Sequence, residues 1–325
     1  MQAYMVEEPG GAFRKAELSR PALTKNHVLV RIQASGINPL DLKIRSGQAG
    51  HAKQPLPAVL GLDTAGVVEE VGPGVTGFKA GDEVYGMVGG VGGLQGTLAE
   101  FVAADADLLA RKPGNLSMRE AAALPLVTIT AWEGLVDRAR VHEGQTVLVH
   151  AGAGGVGHIA VQLARAYGAE AYATVSPEKK AAVEGFGAIP IDYRSLSPEQ
   201  YLAEFTGGKG FDIAFDTLGG ATLDASFIAV KRYTGHVVSS LGWGSHALAP
   251  LSFRGATYSG IFTLYPLISG EGRANHGRIL SEAAALAEAG KLRPLLNERR
   301  FSLDEIAGAF AEVEAGTLGK VVIER

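Results

Sequence analysis

The sequence runs to 325 residues, 46% of them hydrophobic and 20% charged, with a formal net charge of −4. A chain of that length is expected to form two domains with separate cores, and without a basic excess it carries no footprint for nucleic acid. It contains no cysteine, which excludes disulfides and every zinc site built on thiolates.

The opening segment Met1–Glu8 is acidic and does not read as a signal peptide. No apolar run reaches the roughly 18 residues that a membrane span requires. Ala121–Trp132 comes nearest and is interrupted by Pro125. A cytoplasmic protein is the expectation. Up to about residue 120 the pattern is of short β-like runs, with predicted strands at Val28–Ile32 and Thr64–Val68. Turn signals stand at Gly72–Gly74, Ala80–Asp82 and Gly89–Gly93. This reads as a small, barrel-like β-rich domain. From about residue 121 the period changes. Predicted strands at Thr146–His150, Glu170–Val175, Ile189–Ile191, Asp212–Asp216, His236–Ser240 and Thr257–Ile261 alternate with helical stretches. The helices are predicted over Gly157–Tyr167, Pro177–Phe186, Pro198–Phe205 and Thr222–Val230, with Pro177 and Pro198 at first-turn positions. Such alternation specifies a parallel sheet with helices on both faces and right-handed crossovers. A loop, an Ala-rich helix over Gly277–Ala289 and a strand over Lys320–Glu324 follow.

The most telling segment is Val147-Leu148-Val149-His150-Ala151-Gly152-Ala153-Gly154-Gly155-Val156-Gly157. An apolar strand runs into Gly152-x-Gly154-x-x-Gly157 and a helix opens at once, which is the context that a dinucleotide-binding fingerprint needs. Gly152 would permit the tight turn, Gly154 the approach of a pyrophosphate, and Gly157 the packing of helix on strand. The N–H groups of Ala153, Gly155 and Val156 and the positive end of the helix would hold the phosphates. An acid at the end of the second strand selects NAD, and its absence leaves room for the 2′-phosphate of NADP. Here the strand ends at Val175-Ser176 without a carboxylate, and Lys179, Lys180 and Arg194 lie nearby. NADP(H) is the expected cofactor, bound through Ser176 and Lys180. Glu178 argues the other way, and both lysines also read as solvated helix charges.

Several further segments share an order and spacing: Ala34-Ser35-Gly36-Ile37-Asn38-Pro39-Leu40-Asp41, Gly61-Leu62-Asp63-Thr64-Ala65-Gly66, Gly81-Asp82-Glu83-Val84-Tyr85-Gly86, Thr128-Ile129-Thr130-Ala131-Trp132, Asp192-Tyr193-Arg194 and Asp216-Thr217-Leu218-Gly219-Gly220. Together with the glycine loop they resemble the zinc-independent quinone oxidoreductases, the zeta-crystallin-like branch of the medium-chain dehydrogenase/reductase superfamily, over essentially the whole chain. The resemblance implies an α/β protein: a GroES-like β-rich catalytic domain over 1–121, completed by 263–325, and a Rossmann doubly wound parallel sheet over 122–262. It also implies NADP(H) in the Rossmann domain and a small-molecule quinone or enone in a cleft. Zinc-using relatives carry a cysteine in the first of these segments and Gly-His-Glu in the second. Here Asn38 and Leu62-Asp63 stand instead, so no zinc site is expected.

Without a metal to polarise an alcohol, hydride transfer to an already polarised acceptor is the feasible chemistry. Quinones and α,β-unsaturated carbonyls fit, because conjugation carries the incoming charge to oxygen. An enoyl-thioester or alkenal reductase on the same fold is the alternative, and a non-catalytic crystallin-like nucleotide binder is the other. By resemblance, Asn38 and Asp41 lie beside nicotinamide and substrate, and Thr128 turns its hydroxyl toward the nicotinamide. Asn38-Pro39 also reads as a turn, Asp41 as a helix cap and Thr128 as a core threonine. Lys43 stands where some relatives carry a tyrosine, so no tyrosine proton donor is expected there. Tyr193 is placed by resemblance at the adenine side. Leu241 and Gly242 follow the fifth predicted strand, at the sheet edge where ligands sit. The Thr257–Ile261 strand would leave an apolar sheet edge with Tyr258, Ile261 and Phe262, a liability if unpaired. Relatives pair this edge with a second copy, so a homodimer is expected.

Overall fold

The change of hydrophobic period near residue 121 becomes a change of sheet type. The computed structural model describes residues 1–325 in two units: Met1–Ile129 with Leu264–Arg325, and Thr130–Thr263.

The first unit is built on the strand His27–Gly36, whose Val28, Val30 and Ile32 are buried. It pairs antiparallel with Asp63–Val71, Phe101–Asp105 and Val322–Glu324. Glu83–Met87, Leu109–Arg111 and Phe301–Ser302 complete a seven-stranded sheet. A small sheet of Arg14–Glu17, Gln2–Val6 and Ala58–Val59 stands apart from it. The helix Pro39–Arg45 starts immediately after the central strand, with Pro39 in its first turn. The Ala-rich helix spans Arg273–Glu288 and so begins about one turn earlier than its sequence pattern suggests. Its Ile279, Leu280 and Ala283 are buried, and the Tyr85 hydroxyl donates to the Leu280 carbonyl at 2.6 Å.

The second unit holds six strands: β1 (Thr146–Val149), β2 (Glu170–Val175), β3 (Ile189–Asp192), β4 (Ile213–Asp216), β5 (His236–Ser239) and β6 (Thr257–Gly260). They are parallel and ordered β3-β2-β1-β4-β5-β6. The order reverses beside β1, which sets the switch point of a doubly wound sheet at its C-terminal end. Val147, Leu148 and Val149 are wholly buried, as a central strand covered on both faces requires. The predicted helix over Pro177–Phe186 divides into a tight turn at Pro177–Lys179 and a short helix at Lys180–Glu184. That break sends Lys179 and Lys180 to different places. No helix in either unit is long and apolar enough to cross a membrane.

Candidate functional site

Strand β1 ends at Val149, and the chain turns through His150 and Ala151 into the helix Gly155–Ala166. The left-handed residue of this turn is Ala151, at φ 55°, and not Gly152. Gly152 is required for a different reason. A Cβ there would lie 2.4 Å from the Ala173 Cβ on β2, and a Cβ on Gly157 would lie 2.1 Å from the Ala151 carbonyl oxygen. The two glycines let the turn lie against β2 and the helix start directly behind it. Gly154 is the N-cap and no side chain caps the helix. The N–H groups of its first turn lack intrahelical acceptors, and its dipole favours an anion there.

A cavity of about 520 Å³ opens at this end of the sheet, a volume within the usual range for cofactor sites. Ala153 and Gly154 line it from β1's turn, Ser176 and Lys179 from β2's end, and Tyr193 from β3's. His150 forms part of its wall. Its Nδ1 lies 3.2 Å from Thr174 Oγ1, and its Nε2 is buried without a partner. Burial pushes the imidazole down to about 4, against a weaker opposite pull from Asp216, so the ring is neutral at neutral pH. An uncapped helix start and an unpartnered ring nitrogen around one cavity are groups that a phosphate- and ribose-bearing ligand would complete.

Strand β2 delivers Ser176 to the cavity with no acid at its tip. Of the two lysines, Lys179 lines the cavity, whereas Lys180 reaches toward Glu184 at 3.7 Å on its own helix and is not part of the lining. Asp192, at the end of β3, is used in its own turn. It accepts from the Arg194 N–H and the Ser195 hydroxyl, each at 2.9 Å. On the other side of the sheet, buried Asp216 accepts the Leu218 and Gly219 N–H groups and the Ser239 hydroxyl at 2.6 Å. Ser239 in turn accepts the Leu241 N–H at 3.1 Å. Leu241 is thereby tied to the Asp216 loop, while Gly242 lines a separate 320 Å³ depression with Trp243, Tyr258 and Phe262.

In the first unit, Asn38 and Asp41 belong to a buried polar cluster. Asp41 Oδ2 accepts the Asn38 N–H at 2.8 Å, which is half of a capping box. The Asn38 side chain also reaches beyond the start of its helix. Asn38 Nδ2 donates to Asp63 Oδ2 at 2.9 Å, and Lys320 donates to Asn38 Oδ1 and, at 3.0 Å, to the Ile37 carbonyl. Asp63 Oδ1 accepts the Leu126 N–H at 2.9 Å. Both ends of the Asn38 amide are thus engaged inside the protein. Burial pushes Asp41 up to about 7 and Asp63 up to about 6, with Lys320 pulling both down. Burial lowers the Lys320 ammonium, and the two aspartates oppose that shift. Thr128 lies on the helix Pro125–Trp132, fully buried, and its hydroxyl has no partner. That is unusual for a helical threonine, whose hydroxyl ordinarily bonds back to the preceding turn.

Lys320 and His150 are functional-site candidates that sequence reasoning passed over, and Lys179 is one that it named only beside Lys180. Lys320 left one faint sign, a lone cation opening the apolar run Val321-Val322-Ile323.

A glycine-turned β1 at the switch point of a six-stranded parallel sheet defines a dinucleotide-binding α/β protein. Residues 24–114 match the alcohol dehydrogenase GroES-like domain, and residues 186–323 match the zinc-binding dehydrogenase family. The chain is 34% identical over 335 residues to the chloroplastic NADPH-dependent alkenal/one oxidoreductase of Arabidopsis thaliana, covering 99% of this chain and 79% of that one. It superimposes on an alcohol dehydrogenase superfamily protein from Novosphingobium aromaticivorans with a TM-score of 0.97 and 56% identity, over 100% of this chain and 99% of the other. With the quinone oxidoreductase of Coxiella burnetii the TM-score is 0.84 at 29% identity, over 100% and 99% of the two chains. The chain belongs to the medium-chain dehydrogenase/reductase superfamily, among its quinone and alkenal oxidoreductases. Oxidoreductases of this family depend on a nicotinamide dinucleotide.

Proposed function

We propose that this protein reduces quinones or α,β-unsaturated carbonyls with NADPH, without a zinc ion. The observation that carries the cofactor half is the cavity with Gly154, Ser176, Lys179 and Tyr193 on its walls and no acid at the tip of β2. Gly154 and the uncapped helix would receive the pyrophosphate, and Ser176 and Lys179 the 2′-phosphate. Bound there, the cofactor would supply the hydride. The acceptor half is supported by the relatives, which include an alkenal/one oxidoreductase and a quinone oxidoreductase. Zinc independence is supported by the donor set: no thiolate is available, the Asn38 carbonyl oxygen already accepts from an ammonium, and the Asp63 carboxylate already accepts from the Asn38 amide.

We assign the Thr128 hydroxyl to a ligand group, since it has no partner within the protein. Asn38 and Asp41 are assigned as positioning residues, acting through the cluster that fixes the start of helix Pro39–Arg45. The edge strand β6 is exposed, with Tyr258 and neighbouring Phe262 more than a third accessible. A second copy pairing there is part of the proposal, as is a cytoplasmic setting. Steady-state assays with NADPH and a series of 1,4-quinones, 2-alkenals and enoyl thioesters test the activity, and repeating them after exhaustive chelation tests the metal. Turnover of a conjugated acceptor, insensitive to chelation, is expected. Binding of NADPH with no turnover of any of the three classes would leave a nucleotide-binding protein instead. Sedimentation at micromolar concentration should show twice the mass of the 325-residue chain.

A further inference from the structure

Glu178 stands on the turn that follows β2, between the groups expected to receive a 2′-phosphate. Arg194 donates to it from both terminal nitrogens, Nη1 to Oε2 at 3.2 Å and Nη2 to Oε1 at 3.0 Å. Glu178 lies below the usual carboxylate range, held there by its own backbone N–H, by the Ser176 hydroxyl and by Arg194. The Arg194 guanidinium also lies 5.9 Å from the centre of the Tyr193 ring. Ser176 and Tyr193 both line the dinucleotide cavity. The carboxylate therefore occupies donors of the kind and geometry that recognise phosphate.

Two dinucleotides meet this arrangement differently. A ribose 2′-hydroxyl is a donor, and a carboxylate accepts it without giving anything up. A 2′-phosphate brings up to two negative charges and needs the same guanidinium and hydroxyl. The Glu178–Arg194 pair is exposed on both sides, so separating it costs little. The obstacle to the phosphate is competition for donors and the carboxylate's charge.

We propose that Glu178 is a specificity-determining residue of the cofactor site: it stands in for the 2′-phosphate on Ser176 and Arg194, yields them when NADPH binds, and narrows the preference for NADPH over NADH. The assignment rests on reading this cavity as the dinucleotide site.

Direct calorimetric titration of NADP⁺ and NAD⁺ into the whole protein at one fixed salt concentration tests it without any turnover. Glu178→Gln should tighten NADP⁺ by about tenfold and change NAD⁺ by less than about twofold, a gap of one decade in relative affinity. Arg194→Gln should weaken NADP⁺ and leave NAD⁺ nearly unchanged. In the Arg194→Gln background, Glu178→Gln should gain less than about threefold, because the exchanged partner is gone. Equal shifts for both dinucleotides, or no shift for either, overturn the proposal. A full tenfold gain that persists without Arg194 overturns the exchange. Wild-type protein that binds neither dinucleotide at millimolar concentration overturns the cofactor reading itself, an outcome distinct from the other two.

Discussion

The Lys320 ammonium donates to the side-chain carbonyl of Asn38, 282 residues earlier in the chain, and the other end of that amide donates to Asp63 at 2.9 Å. One neutral side chain thus bridges a buried cation and a buried anion. Removing the cation leaves Asp63 and Asp41 without it. Lys320→Met should destabilise the first unit by about 3–5 kcal/mol, the usual consequence of breaking one side of a buried pair. The double variant Lys320→Met/Asp63→Asn should recover part of that loss. Denaturant titration checks both, and a single variant as stable as wild type would remove the ammonium from the account.

Acidity in this cluster predicts an opposite pH response to that of His150. Asp41 and Asp63, raised to about 7 and about 6 chiefly by burial, bind more protons folded than unfolded. Their contribution is full below about 4 and is lost as pH rises through those values. His150, lowered to about 4 by burial, contributes stability above about 6.5 that is lost as pH falls toward 4. The two trends oppose each other between these limits, so the informative quantity is a difference. Asp41→Asn should gain in melting temperature relative to wild type between pH 5 and pH 8. A gap between the two proteins that stays constant over that range would show that Asp41 is ionised throughout.

The break after Lys179 separates the roles of two adjacent lysines. Lys179→Ala should weaken NADPH about ten- to a hundredfold, the worth of a charge-assisted hydrogen bond of roughly 1.5–3 kcal/mol. Lys180→Ala should change it less than about twofold, since Lys180 reaches toward Glu184 and away from the cavity. Fluorescence titration of NADPH into each variant decides, and the reverse ranking would mean that the turn rearranges on binding.

Thr128→Val replaces a buried hydroxyl that has no partner. Taking away an unsatisfied polar group should leave the melting temperature unchanged or raise it. If the hydroxyl serves a bound ligand, kcat should nevertheless fall about ten- to a hundredfold. Unaltered kinetics in a protein of unaltered stability would return Thr128 to the core.

The second unit was legible to within a residue or two. Its central strands are apolar runs covered on both faces, and Pro177 and Pro198 mark where helical stretches open. Less visible was the division of the Pro177–Glu184 stretch, because a tight turn and a helix share the same Pro-Glu-Lys-Lys opening. The Asn38 cluster was legible only in part. Asp41 as a cap could be read from local spacing, and the structure shows its carboxylate on the Asn38 N–H. The Asn38–Lys320 bond could not, because it depends on strand Val322–Glu324 pairing with His27–Gly36. No local pattern encodes a partner so distant in sequence. The glycine loop shows the same limit at short range. Its spacing was plain, yet Ala151 rather than Gly152 takes the left-handed turn, and the need for Gly152 arises from Ala173 on the neighbouring strand.

The pairing of Val322–Glu324 with His27–Gly36 also sets an order of events during synthesis. Thr130–Thr263 is one continuous stretch and can assemble as soon as it has left the ribosome. The unit formed by Met1–Ile129 and Leu264–Arg325 cannot close until the second of those stretches has been made. Until then Asn38 lacks its cation, and the central strand lacks a neighbour on one edge over Ala34–Gly36. An unpaired strand edge is the kind of surface on which nascent chains associate. Slow elongation through residues 264–325 should therefore lower the soluble yield of this protein.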